Sequence, residues 1–129
     1  MPMAIEDQKR EMRVRTKRFA SSVIRLFVGL ERRRDEIQVL GKQMLRSGTS
    51  VAANYREASR ARSVSEFVAK IELCVQEADE TQLWLELLRD DCKVEGALIA
   101  PIWNEADELI SIFVTMAKNA KARKPPPTT

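Results

Sequence analysis

The residues of this chain best placed to do chemistry are basic. Arg13, Arg15, Lys17, Arg18 and Arg25 precede or lie on the first helical pattern, and Arg32, Arg33 and Arg34 close it. Lys118, Lys121, Arg123 and Lys124 close the last one. Such clusters suit phosphate oxygens, which accept charge-assisted hydrogen bonds. They also have structural uses. Cations at a helix C-terminus complement its dipole, and a basic face can pair with an acidic face of another subunit.

Acid–base and metal chemistry have little to work with. Glu77, Glu80, Asp90 and Asp91 are numerous carboxylates, but the chain has no histidine. That removes the commonest general base and the commonest metal ligand. Di-iron bundles use a Glu-x-x-His motif, absent here. Cys74 and Cys92 match no zinc spacing. Read as part of one helix, they stand about 27 Å apart and cannot bridge within one chain. Arg46-Ser-Gly-Thr-Ser50 has neither the preceding strand nor the lysine of a phosphate-binding loop. The reading is no enzyme, no metal and no cofactor.

Charge is unevenly placed. Residues 1–34 carry ten Lys/Arg against four Asp/Glu, and residues 71–110 carry two against eleven. The chain can therefore pair with itself or offer a basic surface to an acidic partner. Aromatic residues make up 5% and fall mostly on apolar stripes, so base stacking is not expected. Nucleic acid would be held by its phosphates, with weak sequence selectivity and strong salt dependence.

The elements that must position these residues read as helices. The 129 residues favour one domain, and Gly (4) and Pro (5) are too few for the turns of a sheet protein. No apolar run reaches membrane-spanning length, and the charged N-terminus is not a secretory signal, so the expected location is cytoplasmic. Residues 1–13 read as a flexible basic segment, 14–123 as the folded domain, and 124–129 as a disordered proline-rich tail.

In the first helix Phe19, Ala20, Val23, Ile24, Leu26, Phe27, Val28 and Leu30 make an arc too wide for one seam. Asp35 reads as the cap of the second helix. That helix carries a heptad through Ile37, Leu40, Met44, Ser47, Val51, Asn54 and Ala58. Gly41, Gly48, Ala52 and Tyr55 form a small stripe beside it, suited to close approach of a neighbour. Ser63 and Glu66 spell a capping box for the third helix. Phe67, Ile71, Cys74, Ala78, Thr81, Leu85 and Leu88 make its seam, and Gly96 reads as its stop. A fourth pattern starts near Ile99, with Pro101 in its first turn. Four amphipathic helices with short links predict an all-α, antiparallel up-down-up-down four-helix bundle.

Arg46, Ser47, Asn54 and Glu80 are the expected core polar network, with Asn54 setting register. Phe19, Leu26, Trp84 and Trp103 are expected at an oligomer interface, because a lone bundle would leave part of the first helix's arc wet.

The run LRSGTSVAANYREA, followed by SEF and QEADETQLWLELL, resembles the bacterial family of proteins encoded in intervening sequences of 23S rRNA genes. Gln43, Arg46, Ser47, Ser50, Asn54, Glu57, Ser63, Glu66, Phe67, Glu80 and Trp84 fall in family order, and Ala53 stands where glycine is frequent. The resemblance is strong from about Leu40 to Leu88. It implies a left-handed four-helix bundle and a ring-forming homo-oligomer, a pentamer in related members. One relative, the accessory variability determinant protein of diversity-generating retroelements, binds nucleic acid and a reverse transcriptase. The expected function is a non-enzymatic homo-oligomer that binds RNA or DNA, structured RNA first, through its basic surface. The alternative is a protein-interaction scaffold whose charge asymmetry serves self-assembly.

Overall fold

The structure, a computed structural model, describes residues 5–123. Four helices follow one another: α1 (Ile5–Gly29), α2 (Asp35–Ser59), α3 (Val64–Asp90) and α4 (Gly96–Arg123). No strand occurs among the described residues. The helices form the four-helix bundle that the periodicity predicts. α2 packs on α1 and α3, α3 packs on α4, and α1 meets α4 through a much thinner contact. One end gathers the start of α1, the end of α2, the start of α3 and the end of α4, where Ile5, Tyr55, Phe67 and Arg123 line a common cavity.

α1 begins earlier than its apolar pattern. Residues 5–13, expected as flexible, are helical. Glu6 and Asp7 complement the dipole in the first turn, Lys9 and Arg10 pair back to them at i,i+3, and Met12 is already in the core. Residues 1–4 and 124–129, including Lys124, lie outside the described residues.

The cap of α2 is Arg34, not Asp35, and no side chain caps it. Asp35 and Glu36 instead sit in the first turn, where their charge favours the dipole. At α3 the Ser63 hydroxyl accepts from Glu66 N–H at 3.0 Å. The Glu66 carboxylate reaches back to Arg62 N–H at 3.1 Å, one residue before the usual partner.

α3 ends at Asp90, and Cys92 lies in the turn beyond it. Lys93, at φ 62°, reverses the chain, and Val94 N–H donates to Leu88 O at 2.9 Å. Gly96 opens α4 rather than closing α3, which puts Pro101 in the second turn.

The core seam of α2 also differs from the expected heptad. Ile37, Gly41, Met44, Gly48, Val51, Tyr55 and Ala58 are buried, with Ser47 beside them, while Leu40 and Asn54 are half-buried. The glycines explain the rotation. A Cβ on Gly48 would stand 2.8 Å from Val23 Cγ2, so α1 comes close enough to turn the small stripe into core. Tyr55 is fully buried and stacks on Phe113 with ring centroids 6.0 Å apart.

Candidate nucleic-acid interface

The basic residues singled out from sequence do not share one face. Arg15 is held against α4: its guanidinium donates to both Glu105 carboxylate oxygens at 2.9 and 2.8 Å and to Glu108 at 2.5 Å. The Glu105 hydrogen bonds, then the charges of Glu105 and Glu108, outweigh burial and raise its pKa. Arg34 donates to Glu36 at 2.6 Å and to Cys92 O at 2.8 Å, so it ties the α1–α2 link to the α3–α4 turn. Arg25, Arg32 and Arg33 are exposed at or near that same end. Lys118 and Lys121 lie along the α3–α4 side, where Lys121 stands 3.8 Å from Glu72. Arg123 lies at the opposite end from Arg32–Arg34. Arg13 is half-buried and Arg18 exposed on α1.

Lys17 is different, because it borders a groove. About 840 Å³ of open space runs along α2 beside α1 and reaches the start of α3. Its floor is made of small residues, Ala20, Thr49, Ala52 and Ala53, and its rim carries Lys17, Arg56, Arg60, Arg62 and Lys70. Two carboxylates share it, and both are engaged: Glu57 with Lys70 at 2.9 Å, and Glu66 in the α3 cap. Among the described residues, Lys17, Arg56, Arg60 and the Arg62 side chain have no ion-pair partner. No aromatic ring lines the groove. It is a concave cationic surface that can take phosphate oxygens and offers nothing to stack a base on.

Sequence reading passed over Arg56, Arg60 and Arg62. A signal was present: Arg56 and Arg60 stand at i,i+4, one to three turns beyond the small residues Thr49, Ala52 and Ala53.

The expected polar network is only partly assembled. Arg46 lies 3.3 Å from Glu80 and 3.6 Å from Glu77, on the side of α2 that faces α3. Burial first, then the neighbouring Glu80 charge, raises the Glu77 pKa, with Arg46 opposing. Ser47 joins Thr81, not Asn54: the hydroxyls are 2.7 Å apart. The Asn54 side chain makes no hydrogen bond among the described residues.

Two of the residues expected at a subunit interface are not free to serve there. Phe19 and Leu26 are 2% and 8% exposed, because α1 turns them into its own core. Ile24 and Val28 are the exposed part of that arc. Trp84 and Trp103 are half-buried. Trp103 donates to Glu86 at 2.9 Å, whereas the Trp84 indole N–H is buried without a partner.

The described residues hold no group of three or more His, Cys, Asp or Glu able to bind a metal. None of their helices is long and apolar enough to cross a membrane.

The model of the 23S rRNA-intervening sequence protein family matches residues 8–115, across all four helices. The chain belongs to this family. A solved structure from Bacteroides thetaiotaomicron, a protein of unknown function from the S23 ribosomal protein family, is 33% identical with a TM-score of 0.75. The match covers 82% of this chain and 97% of that one. No curated protein matches the chain. As a 23S rRNA-intervening sequence family member, the chain has the four-helix bundle that its sequence resemblance implies.

Proposed function

We propose that this protein is a non-enzymatic, cytoplasmic homo-oligomer that binds nucleic acid by its phosphate backbone, in the groove between α1 and α2. The observation that carries this reading is the set of four unpaired cations, Lys17, Arg56, Arg60 and Arg62, around a small-residue floor. Phosphate contacts position a nucleic acid without reading its bases. A ring, such as the pentamer implied by the resemblance, would repeat the groove and raise a weak single-site affinity by avidity. Leu73 and Leu83 support self-association: both are apolar side chains exposed on α3.

Fluorescence anisotropy of a labelled RNA hairpin, from about 50 to about 300 mM salt, tests the binding. Light scattering on the same sample gives the subunit number. The expected result is affinity that falls linearly with salt on logarithmic axes, and a mass above one chain. No binding at the lowest salt would sink the nucleic-acid reading.

One observation favours the scaffold as second reading. Residues 71–110, which supply most of α3 and part of α4, carry eleven Asp/Glu against two Lys/Arg, so one copy's acidic helices complement another's basic groove. In that case Arg56→Glu would break the oligomer, and no nucleic acid would bind.

A further inference from the structure

We infer that the groove takes double-helical nucleic acid in preference to a single strand, holding one sugar–phosphate ridge of the duplex; this rests on the phosphate-binding reading above. Three features of the groove lead there.

The first is the lack of a stacking platform. Proteins that bind single strands without sequence preference combine a basic track with aromatic rings on which bases stack. Here Phe19, Tyr55 and Phe113 are sealed in the core, and Trp103 is tied to Glu86. The floor is alanine and threonine. A flexible strand would have to be ordered on this surface with no stacking to offset the lost freedom, whereas a duplex arrives with its backbone already ordered.

The second is the fixed spacing of the cations. Arg56 stands in the last turn of α2 and Arg60 is its C-cap, about one turn further on. Lys17 faces them from α1, and Arg62 follows from the α2–α3 link. Cations anchored at these backbone positions match the regular phosphate spacing of a duplex better than that of a mobile strand.

The third is charge density. Each neutralised phosphate releases more condensed counterion from a duplex than from a single strand. For four contacts the expected salt slopes are about −3.6 and about −2.8, which at about 0.1 M salt favour the duplex about sixfold. The two carboxylates in the groove leave it net positive: Glu57 is paired with Lys70, and the charged Glu66 stands against four cations, Lys17, Arg56, Arg60 and Arg62.

The test compares a labelled duplex of about 20 base pairs, as RNA and as DNA, with an unstructured oligouridylate of equal nucleotide number. It uses the full chain and the Arg56→Gln/Arg60→Gln variant, with helicity and melting checked by circular dichroism. The expected result is at least one duplex binding fivefold or more tighter than the single strand. The double variant should lower the duplex slope by about 1.8. Equal or tighter binding of the single strand overturns the duplex preference and leaves the phosphate reading standing. A duplex preference unchanged in a folded double variant overturns the placement in this groove. No binding to any of the three overturns the phosphate reading itself.

Discussion

Ser47 Oγ and Thr81 Oγ1 lie 2.7 Å apart where α2 meets α3, both sealed from solvent. Thr81 donates to Glu77 O at 2.8 Å, so in the pair Ser47 is the donor. Each hydroxyl keeps a backbone partner if the other is lost, since Ser47 also reaches Met44 O at 3.2 Å. Ser47→Ala or Thr81→Val should therefore cost only about 1 kcal/mol, the low end for a disrupted buried hydrogen bond. For a chain of this size that is about 4 °C of melting temperature. The double variant should cost less than the sum of the two. Strict additivity in a double-mutant cycle would show that the hydroxyls do not interact.

The two buried glycines of α2 should respond in opposite ways to alanine. Helix propensity favours the change by about 1 kcal/mol at both. At Gly48 the new Cβ would stand 2.8 and 2.9 Å from the two Val23 methyls, on a fully buried, β-branched side chain with no rotamer to escape to. Overpacking there costs about 1–3 kcal/mol, so Gly48→Ala should destabilise. At Gly41 the nearest atom is Leu30 Cδ1 at 3.0 Å, the tip of a half-buried side chain just beyond α1. That tip can swing, so Gly41→Ala should be neutral or stabilising in urea unfolding.

These glycines also show what the sequence made legible. The four helices, their order and the Ser63 cap follow from apolar spacing and local chemistry, which act within a few residues. The seam of α2 differs from the expected heptad by one position at alternate steps: Leu40 is more apolar than its neighbour Gly41, and a seam asparagine is a known register device, so Leu40 and Asn54 read as core in place of Gly41 and Tyr55. Only the approach of Val23 decides which stripe is core, and that contact spans two helices. The same limit hid the groove. Lys17 is far from Arg56, Arg60 and Arg62 in sequence, and packing alone joins them. It equally withdrew Arg15, whose partners Glu105 and Glu108 lie on the last helix.

Alkaline pH should weaken the fold through two buried acids. Burial pushes the Cys74 thiol up to about 12 from 9.0 and the Tyr55 hydroxyl up to about 12 from 10.0. Both are held neutral by the folded state. Their contribution is intact below the unfolded values and is lost as pH rises from those values towards the folded ones. Stability should therefore fall between about pH 9 and 12, and Tyr55→Phe should flatten the upper part of that fall. The Tyr55 hydroxyl has no hydrogen-bond partner. Tyr55→Phe should then leave neutral-pH stability unchanged or raised, as measured by melting at pH 7.5. A marked loss at neutral pH would reveal a partner for that hydroxyl.

Arg15 and Lys17 are two residues apart, yet they should separate stability from binding. Arg15 bridges α1 to α4 through Glu105 and Glu108, at the thinnest contact of the bundle. Its side chain is 30% exposed and Glu108 is 70% exposed, so solvent screening keeps its worth to about 1 kcal/mol. Arg15→Gln should lower the melting temperature by a few degrees, an effect that shrinks as salt rises. It should leave affinity for an RNA duplex within about twofold, since its charge is already matched. Lys17 has no such partner and borders the groove. Lys17→Gln should leave melting unchanged and reduce the salt slope by about 0.9, one phosphate contact. Melting curves and anisotropy titrations on the two variants check both halves. Loss of binding in Arg15→Gln with none in Lys17→Gln would move the nucleic-acid surface from the α1–α2 side to the α1–α4 side.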